Sequence, residues 1–365
     1  MKVRLGEVGK IVTGNTPPTS NGEYYASRDI CFIKPSDIPD DGILHITETE
    51  FYISESARQK ARILPKNSVV VTCIGIIGKV GITDVECALN QQSNAIIVET
   101  DMALPEYVAY AILQKKRQLQ EKANAAVVPI INKSQFSDVE IDLPDIATQQ
   151  RIVTHLNHFC DILELRRQQL QKLDELVKAR FVEMFGTVHN NVYGFDIGTL
   201  DSVSDELFAG GDKPDDCILE KDATHRYPVF ANGYENEGLQ GYSVTCRVTK
   251  PAVTVSARGT IGYCFIRNAG FTPVVRLITI VPNNKVSSLF LKYAIDTMDI
   301  NSSGTSQAQL TVPNFKRERI IVPPMEPQER FTAFVSQVYK SKAAIQSSLD
   351  QLETLKQSLM QEYYG

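Results

Sequence analysis

Residues 182–186 read VEMFG and the last five residues read QEYYG, and the likeness extends far upstream of both. Sliding the chain against itself by 179 positions brings Phe136 onto Phe315, Pro144 onto Pro323, Gln149 onto Gln328 and Arg151 onto Arg330. The same offset aligns Leu170, Leu173 and Leu176 with Leu349, Leu352 and Leu355, and Glu183 and Gly186 with Glu362 and Gly365. Further back, VVVTCIGIIG (69–78) matches TVSARGTIG (254–262) at an offset of 184, so Gly75 and Gly78 meet Gly259 and Gly262. Leu5-Gly6-Glu7-Val8 matches Leu200-Asp201-Ser202-Val203 at 195, and FIKPSD (32–37) parallels VFANGY (229–234). The blocks keep their order while the offset falls, as loop deletions in a second copy would produce. The chain was built twice, and it must fold as two like modules.

Each copy has two parts. The first, about 5–145 and 200–325, carries apolar β-branched runs such as SVVVT (68–72), AIIV (95–98), AVTVS (252–256) and LITIV (277–281), set between Gly, Pro and Asn. A short helix is expected at 105–121 and another near 286–298. The second part of each copy is one long helix, free of Gly and Pro over 151–185 and 330–364, with Pro144 and Pro327 marking the starts.

Along the first long helix the apolar positions are Ile152, Leu156, Phe159, Leu163, Leu170, Leu173, Val177 and Met184. The second gives Phe331, Val335, Val338, Ile345, Leu349, Leu352, Leu359 and Tyr363. This 4-3 spacing is a coiled-coil seam, with Arg166, Arg180, Lys342 and Lys356 on its vacant steps. Antiparallel pairing with position numbers adding to about 515 sets Arg166 against Leu349, Arg180 against Val335, Lys342 against Leu173 and Lys356 against Phe159. Each cation then lays its methylene stem on an apolar partner. Heptad-shifted registers remain open. A helix of about 35 residues spans roughly 52 Å, more than a small domain needs, so a paired stalk is expected.

A length of 365 residues suits two domains, with an apolar fraction of 43% and a charged fraction of 22%, as in globular proteins. No apolar run is long enough to span a membrane and MKVRLGEVGKIV lacks a signal-peptide core, so a cytoplasmic location is expected. Seven cysteines without a CxxC pair fit reduced thiols. Net charge is −5, divided as −3 up to Gly186 and −2 beyond it. No basic arm exists, so any DNA contact must rest on local patches.

Signatures of catalysis are nearly absent. CIGIIGKVG is too compact for a phosphate loop, no GxG follows a strand, and GxSxG and HExxH do not occur. NTPPT (15–19) reads as a turn, and Asp40–Asp41 and Asp215–Asp216 as turn formers. His155 and His158 stand three apart without a third ligand in sight, which suits a helix surface better than a metal site. GIIG (75–78) and GTIG (259–262) follow apolar strands beside Lys79 and Arg258, and either cradle a phosphate or make a tight turn. Further basic or amide clusters are Arg58/Lys60/Arg62, Lys115–Arg117, Asn90–Gln92 and Lys316/Arg317/Arg319.

The duplication, the helix starts LPDIATQQRIV (143–153) and VPPMEPQERF (322–331), and the segments VFANG, SARGTIG and FIKPSDI together resemble the specificity subunit of type I restriction-modification enzymes. The likeness covers essentially the whole chain. One departure is CIGIIG in place of the SARGTIG type in the first copy.

The resemblance implies an α+β fold: two strand-rich target recognition domains separated by two long helices in an antiparallel coiled coil, with an internal pseudo-twofold repeat. Its implied bounds are a first recognition domain over 1–148, a central helix over 149–186, a linker over 187–198, a second recognition domain over 199–326 and a C-terminal helix over 327–365. Each lobe would read half of an asymmetric bipartite duplex across a fixed spacer. The DNA-contact candidates are Lys34, Ser36, Lys79, Asn90, Gln91, Lys213, Asn232, Arg258, Gly259, Thr260 and Arg276. The seam residues named above would serve the coiled coil and partner docking. The chain would be non-catalytic and bind no cofactor or metal. S-adenosylmethionine, ATP and Mg would sit on two modification (methyltransferase) subunits and on motor-nuclease restriction subunits. The rival reading is a scaffold with two ligand-binding lobes on a coiled-coil stalk.

Overall fold

Val69, Val70 and Val71 are wholly buried, and their strand Ser68–Thr72 is paired on both edges, as a continuous β-branched run should be. The computed structural model describes residues 1–123, 128–259, 261–298 and 310–365. They fall into two compact units, Met1–Arg166 with Ser348–Gly365, and Arg167–Ser347.

In the first unit the central sheet runs Gly9–Thr13, Ser93–Val98, Ser68–Thr72, Val80–Thr83 and Ile43–Ile46. All neighbours are antiparallel except the last pair. In the second unit the sheet runs Ser204–Ala209, Ile278–Pro282, Ala252–Val255 and Cys264–Arg267, all antiparallel. The four shared strands have the same order. A second sheet in each unit contains one parallel pair, Ile30–Ile33 with Cys87–Leu89 and Tyr227–Phe230 with Thr272–Pro273. A two-stranded ribbon closes each lobe, Lys2–Arg4 with Glu140–Asp142 and Asp196–Thr199 with Arg319–Val322. The repeat seen in the sequence is therefore a repeat of topology.

The matched residues explain themselves at the helix starts. Gln149 is wholly buried; its amide oxygen accepts from Leu104 N–H at 2.9 Å, and its amide nitrogen donates to Met102 O at 3.1 Å and Pro144 O at 2.8 Å. Gln328 does the same with Ser287 N–H at 2.8 Å, Lys285 O at 2.9 Å and Pro323 O at 2.9 Å. Each glutamine thus ties a long helix to the backbone that begins the short helix, Pro105–Gln114 in one unit and Ser288–Asp296 in the other. No other uncharged side chain of that reach carries both donors and an acceptor.

The long helices are Ile146–Phe185 and Met325–Tyr364, 40 residues each. Pro327 does not open the second helix but lies in its first turn, where a missing N–H costs little. The expected helix over 105–121 is two, Pro105–Gln114 and Lys116–Lys122, broken at Lys115, whose ψ is 4°. Gly186 ends the first long helix with φ +71°, its N–H on Val182 O at 2.8 Å, and a Cβ there would meet Asn190 O at 2.3 Å.

Within each unit the helix segments pair antiparallel. The first unit has His155 Nδ1 at 3.3 Å from the Tyr363 hydroxyl, and the second has Lys342 Nζ at 2.6 Å from Asp174 and Phe181 at 5.4 Å from Phe331. In each unit taken by itself the paired numbers add to about 515, the spacing expected of the seam. Lys342 nevertheless ends on Asp174 rather than only lying along Leu173, because the ammonium reaches past the apolar step to the next residue.

All sixteen seam residues, from Ile152 to Met184 and from Phe331 to Tyr363, are buried or half-buried. The C-terminal part of each helix packs on the strand-rich lobe of the other copy. Met360 and Tyr364 join the core of the first lobe, with Tyr364 against Tyr107 at 4.9 Å. Phe181 and Phe185 join that of the second, within 5.4 Å of Phe290. Each such aromatic is worth about 2–3 kcal/mol of burial. All seven cysteines are free, and among the described residues no helix is long and apolar enough to cross a membrane.

Candidate nucleic-acid interface

The candidate residues of the second lobe lie on four loops joined by hydrogen bonds. Asn232, just past the strand Tyr227–Phe230, donates from Nδ2 to Val275 O at 2.6 Å and accepts from Ala257 N–H at 2.8 Å on Oδ1. One amide side chain thereby links the loop holding Arg258 and Gly259 to the turn holding Arg276. That turn is tied in its own right to the next loop, with Val275 N–H on Gly211 O at 2.8 Å and Arg276 N–H on Gly210 O at 3.0 Å. Lys213 follows on that loop, exposed, with Nζ at 3.4 Å from Gln240 O. Arg258, Gly259 and Arg276 are exposed as well. Thr260 lies outside the described residues.

The described glycines of GTIG and GIIG stand in loops closed by the same two backbone bonds. Ser256 N–H bonds to Tyr263 O at 2.9 Å and Gly262 N–H to Ser256 O at 3.0 Å, matched by Thr72 to Lys79 at 3.1 Å and Gly78 to Thr72 at 2.9 Å. All four glycines have φ between +68° and +92°, so the glycines serve the turn itself. The tight turn is thus the reading the backbone supports, with its cations decided separately in each lobe.

In the first lobe backbone bonds again join the loops, mostly between other partners, and the exposed chemistry differs. Asn90 N–H bonds to Ile33 O at 3.1 Å, Cys73 N–H to Gln92 O at 2.8 Å, and Asn15 N–H to Leu89 O at 3.0 Å. Lys79 is not the surface cation expected: it is 8% exposed, and Nζ reaches Pro35 O at 3.2 Å, Ile38 O at 2.9 Å and Asp40 Oδ1 at 3.0 Å. Carbonyls gathered from a distant loop satisfy the ammonium, so it is turned inward. Asn90 is not the surface amide expected: it is 5% exposed and turns its amide on Gln92, as a turn former. Lys34 is half-buried, with Nζ 3.0 Å from the centroid of Phe51. Ser36 and Gln91 are exposed, the latter accepting from the Thr16 hydroxyl at 2.6 Å. Burial pushes the Cys73 thiol up to about 11, so it stays neutral at the head of the turn.

One cation of each remaining basic cluster is paired with acids: Arg58 with Glu55 and Glu86, Arg117 with Glu121, and Lys316 with Asp201. Beneath the second rim, Arg267 is 4% exposed; burial works against its charge, and Glu237 at 2.7 Å offsets this. Its guanidinium also lies 3.7 Å from the Phe230 centroid and donates to Thr254 at 3.0 Å, fixing the sheet that carries the loops. Sequence reasoning missed Tyr234 and Tyr263, whose rings stand 4.8 Å apart at 62% and 42% exposure beside the glycine turn. Their one signal was that each directly follows a glycine.

The family model described as type I restriction modification DNA specificity domain matches residues 1–175 and again residues 197–354. The chain belongs to that family. Among its relatives is a putative type I specificity subunit of Mycoplasma pneumoniae, 26% identical over 271 residues and spanning 74% of each chain. The MjaIX specificity subunit of Methanocaldococcus jannaschii is 29% identical over 186 residues, which is 50% of this chain and 43% of that one. The fold is shared with the S subunit of a type I system from M. genitalium, at a TM-score of 0.56, 13% identity and coverage of 100% and 96%. It is also shared with a chain from work on complex assembly and conformational transition in a type I R-M system, at 0.66, 18% and coverage of 100% and 97%. Two specificity domains in one chain thus coincide with the two copies, and the named relatives are specificity subunits.

Proposed function

We propose that this chain is the non-catalytic DNA-reading subunit of a type I restriction-modification complex. Each lobe reads one half of a bipartite duplex target. The paired helices hold the two halves at a fixed, unread spacing of about one helical turn, as expected for two readers on one face of B-DNA. The observation that carries this reading is the double match of the specificity domain, one match to each copy. The differing chemistry of the two loop sets supports unlike half-sites: Arg258, Arg276 and Lys213 in one, Ser36 and Gln91 in the other. Arginine suits guanine edges and amides suit adenine, while cations on phosphate set register.

Two modification subunits dock on the helices and bring S-adenosylmethionine, transferring a methyl group to adenine N6 in a flipped nucleotide. Leu176 and Leu355 hold equivalent positions in the two copies and are 47% and 46% exposed, so the two copies offer their partners a like surface there. Motor-nuclease subunits add ATP and Mg for restriction. This chain contributes recognition and spacing and carries no cofactor of its own, and it works in the cytoplasm, where the duplex is.

Methylome sequencing of cells holding the modification subunit with and without this chain tests the reading. A gapped adenine-methylation motif that appears only with the chain is expected. Methylation unchanged by its removal would overturn the proposal and leave a scaffold.

A further inference from the structure

Resting on the DNA-reading role above, we infer that Val275 is a specificity-determining residue of the second lobe, whose isopropyl group contacts the C5-methyl of one thymine in the major groove. The backbone is the first observation. Val275 and Arg276 have φ of +51° and +60°, and Leu277 N–H closes the turn on Val274 O at 3.0 Å. Consecutive positive φ values are the mark of a type I′ turn, a conformation Asn-Gly fills readily and a β-branched residue almost never adopts.

The strain is held in place from outside the turn. Asn232 grips Val275 O at 2.6 Å, and Gly211 and Gly210 take the Val275 and Arg276 N–H groups at 2.8 and 3.0 Å. Strain over-determined by its surroundings marks functional positions. The corresponding turn of the first lobe, Asn90 to Ser93, closes with the same bond at 3.3 Å but places no residue at positive φ. The fold thus does not require the strain.

Exposure is the second observation. The Val275 side chain does not repay its backbone by burial, since it is 52% exposed, between the exposed Arg276 and a loop set that carries Arg258. A strained apolar residue on a polar, cationic rim gains its partner in the complex. Valine forms no hydrogen bond, so it cannot read a donor or an acceptor, and in the major groove the only apolar feature is the thymine methyl. It is also too short for the wedge that kinks a base step, a task left to Phe, Leu, Ile, Met or Pro.

The test uses the full chain assembled with its modification subunit and the duplex target its methylome defines. Each thymine of the second half-site is replaced in turn by deoxyuridine, which removes only the methyl. Wild-type affinity should fall about 3–10-fold at one position, as for loss of one buried methyl. Val275→Gly should bind the normal duplex weaker by the same factor and be indifferent to that replacement. Val275→Gly and Val275→Asn should also melt no lower than wild type, because both relieve the turn, which separates lost reading from lost folding. Equal uracil sensitivity in wild type and Val275→Gly, or no sensitive position, would overturn the assignment while leaving the DNA-reading role intact. A wild-type complex with no preference for its methylated motif would overturn both.

Discussion

At the turn that follows the parallel-paired strand, the first lobe carries Asn90-Gln91-Gln92 and the second carries Val274-Val275-Arg276. Both turns donate the same backbone bond to the neighbouring strand, Asn90 N–H to Ile33 O and Val274 N–H to Phe230 O. One lobe fills the position with amides, which close the turn on themselves. The other fills it with a strained valine and an arginine. The glycine turn repeats the contrast: Lys79 faces inward onto carbonyls, whereas Arg258 is exposed. A duplicated frame with unlike edges keeps its framework bonds and varies what it shows to solvent, as the proposed reading of two different half-sites would require.

The largest effects should fall where the lobes are alike. Gln149→Ala and Gln328→Ala each remove three hydrogen bonds and leave buried backbone groups without partners, so each should cost about 3 kcal/mol in urea unfolding. Near-equal losses would bear out an equivalent clamp, and a loss in only one lobe would break the likeness. Next come the cations. Arg258→Ala should weaken DNA binding at every sequence and lower the slope of log affinity against log salt by about 1. Lys79→Met should leave that slope unchanged and instead destabilise the first lobe by about 1–2 kcal/mol, by releasing the loop carbonyls of Pro35 and Ile38. A shallower slope for Lys79→Met would restore it as a DNA contact.

The smallest effect is one of pH. Asp145 accepts from the Thr148 N–H at 2.9 Å and hydroxyl at 3.0 Å at the start of the first long helix, and the Thr148 bonds hold its carboxyl below the usual value. The repeat sets Pro324 at the same place in the second helix, with no carboxylate to titrate. With its folded pKa below the unfolded one, Asp145 stabilises above the unfolded value, and that contribution is lost as pH falls through the folded value. Hydrogen exchange in the first turn should therefore quicken at acid pH in the first helix more than in the second, and Asp145→Asn should abolish the difference.

Much of this architecture could be read in the residues. Apolar spacing located the seam from Ile152 to Leu359, because helix periodicity is local and repeated over many turns. Matching Gln149 to Gln328 pointed to a shared feature, though its role as a clamp needed the carbonyls of Met102 and Lys285 in space. The edges were less legible for the same reason. Lys79 looked like a phosphate ligand beside its glycines until the 35–40 loop, remote in sequence, supplied its partners. Nothing in Val-Val-Arg announces positive φ at Val275, since that conformation is imposed by Asn232, Gly210 and Gly211. Pattern reveals what a segment does with its neighbours, and misses what a distant loop does to it.

On the proposed function, one frame carries two independent readers. Replacing residues 197–322 by the equivalent region of a relative with a different target, and sequencing the adenine methylome of cells that also hold the modification subunit, tests it most directly. One half of the gapped motif should change while the other half and the gap stay as they were. A motif that does not change, or one in which both halves change together, would contradict it.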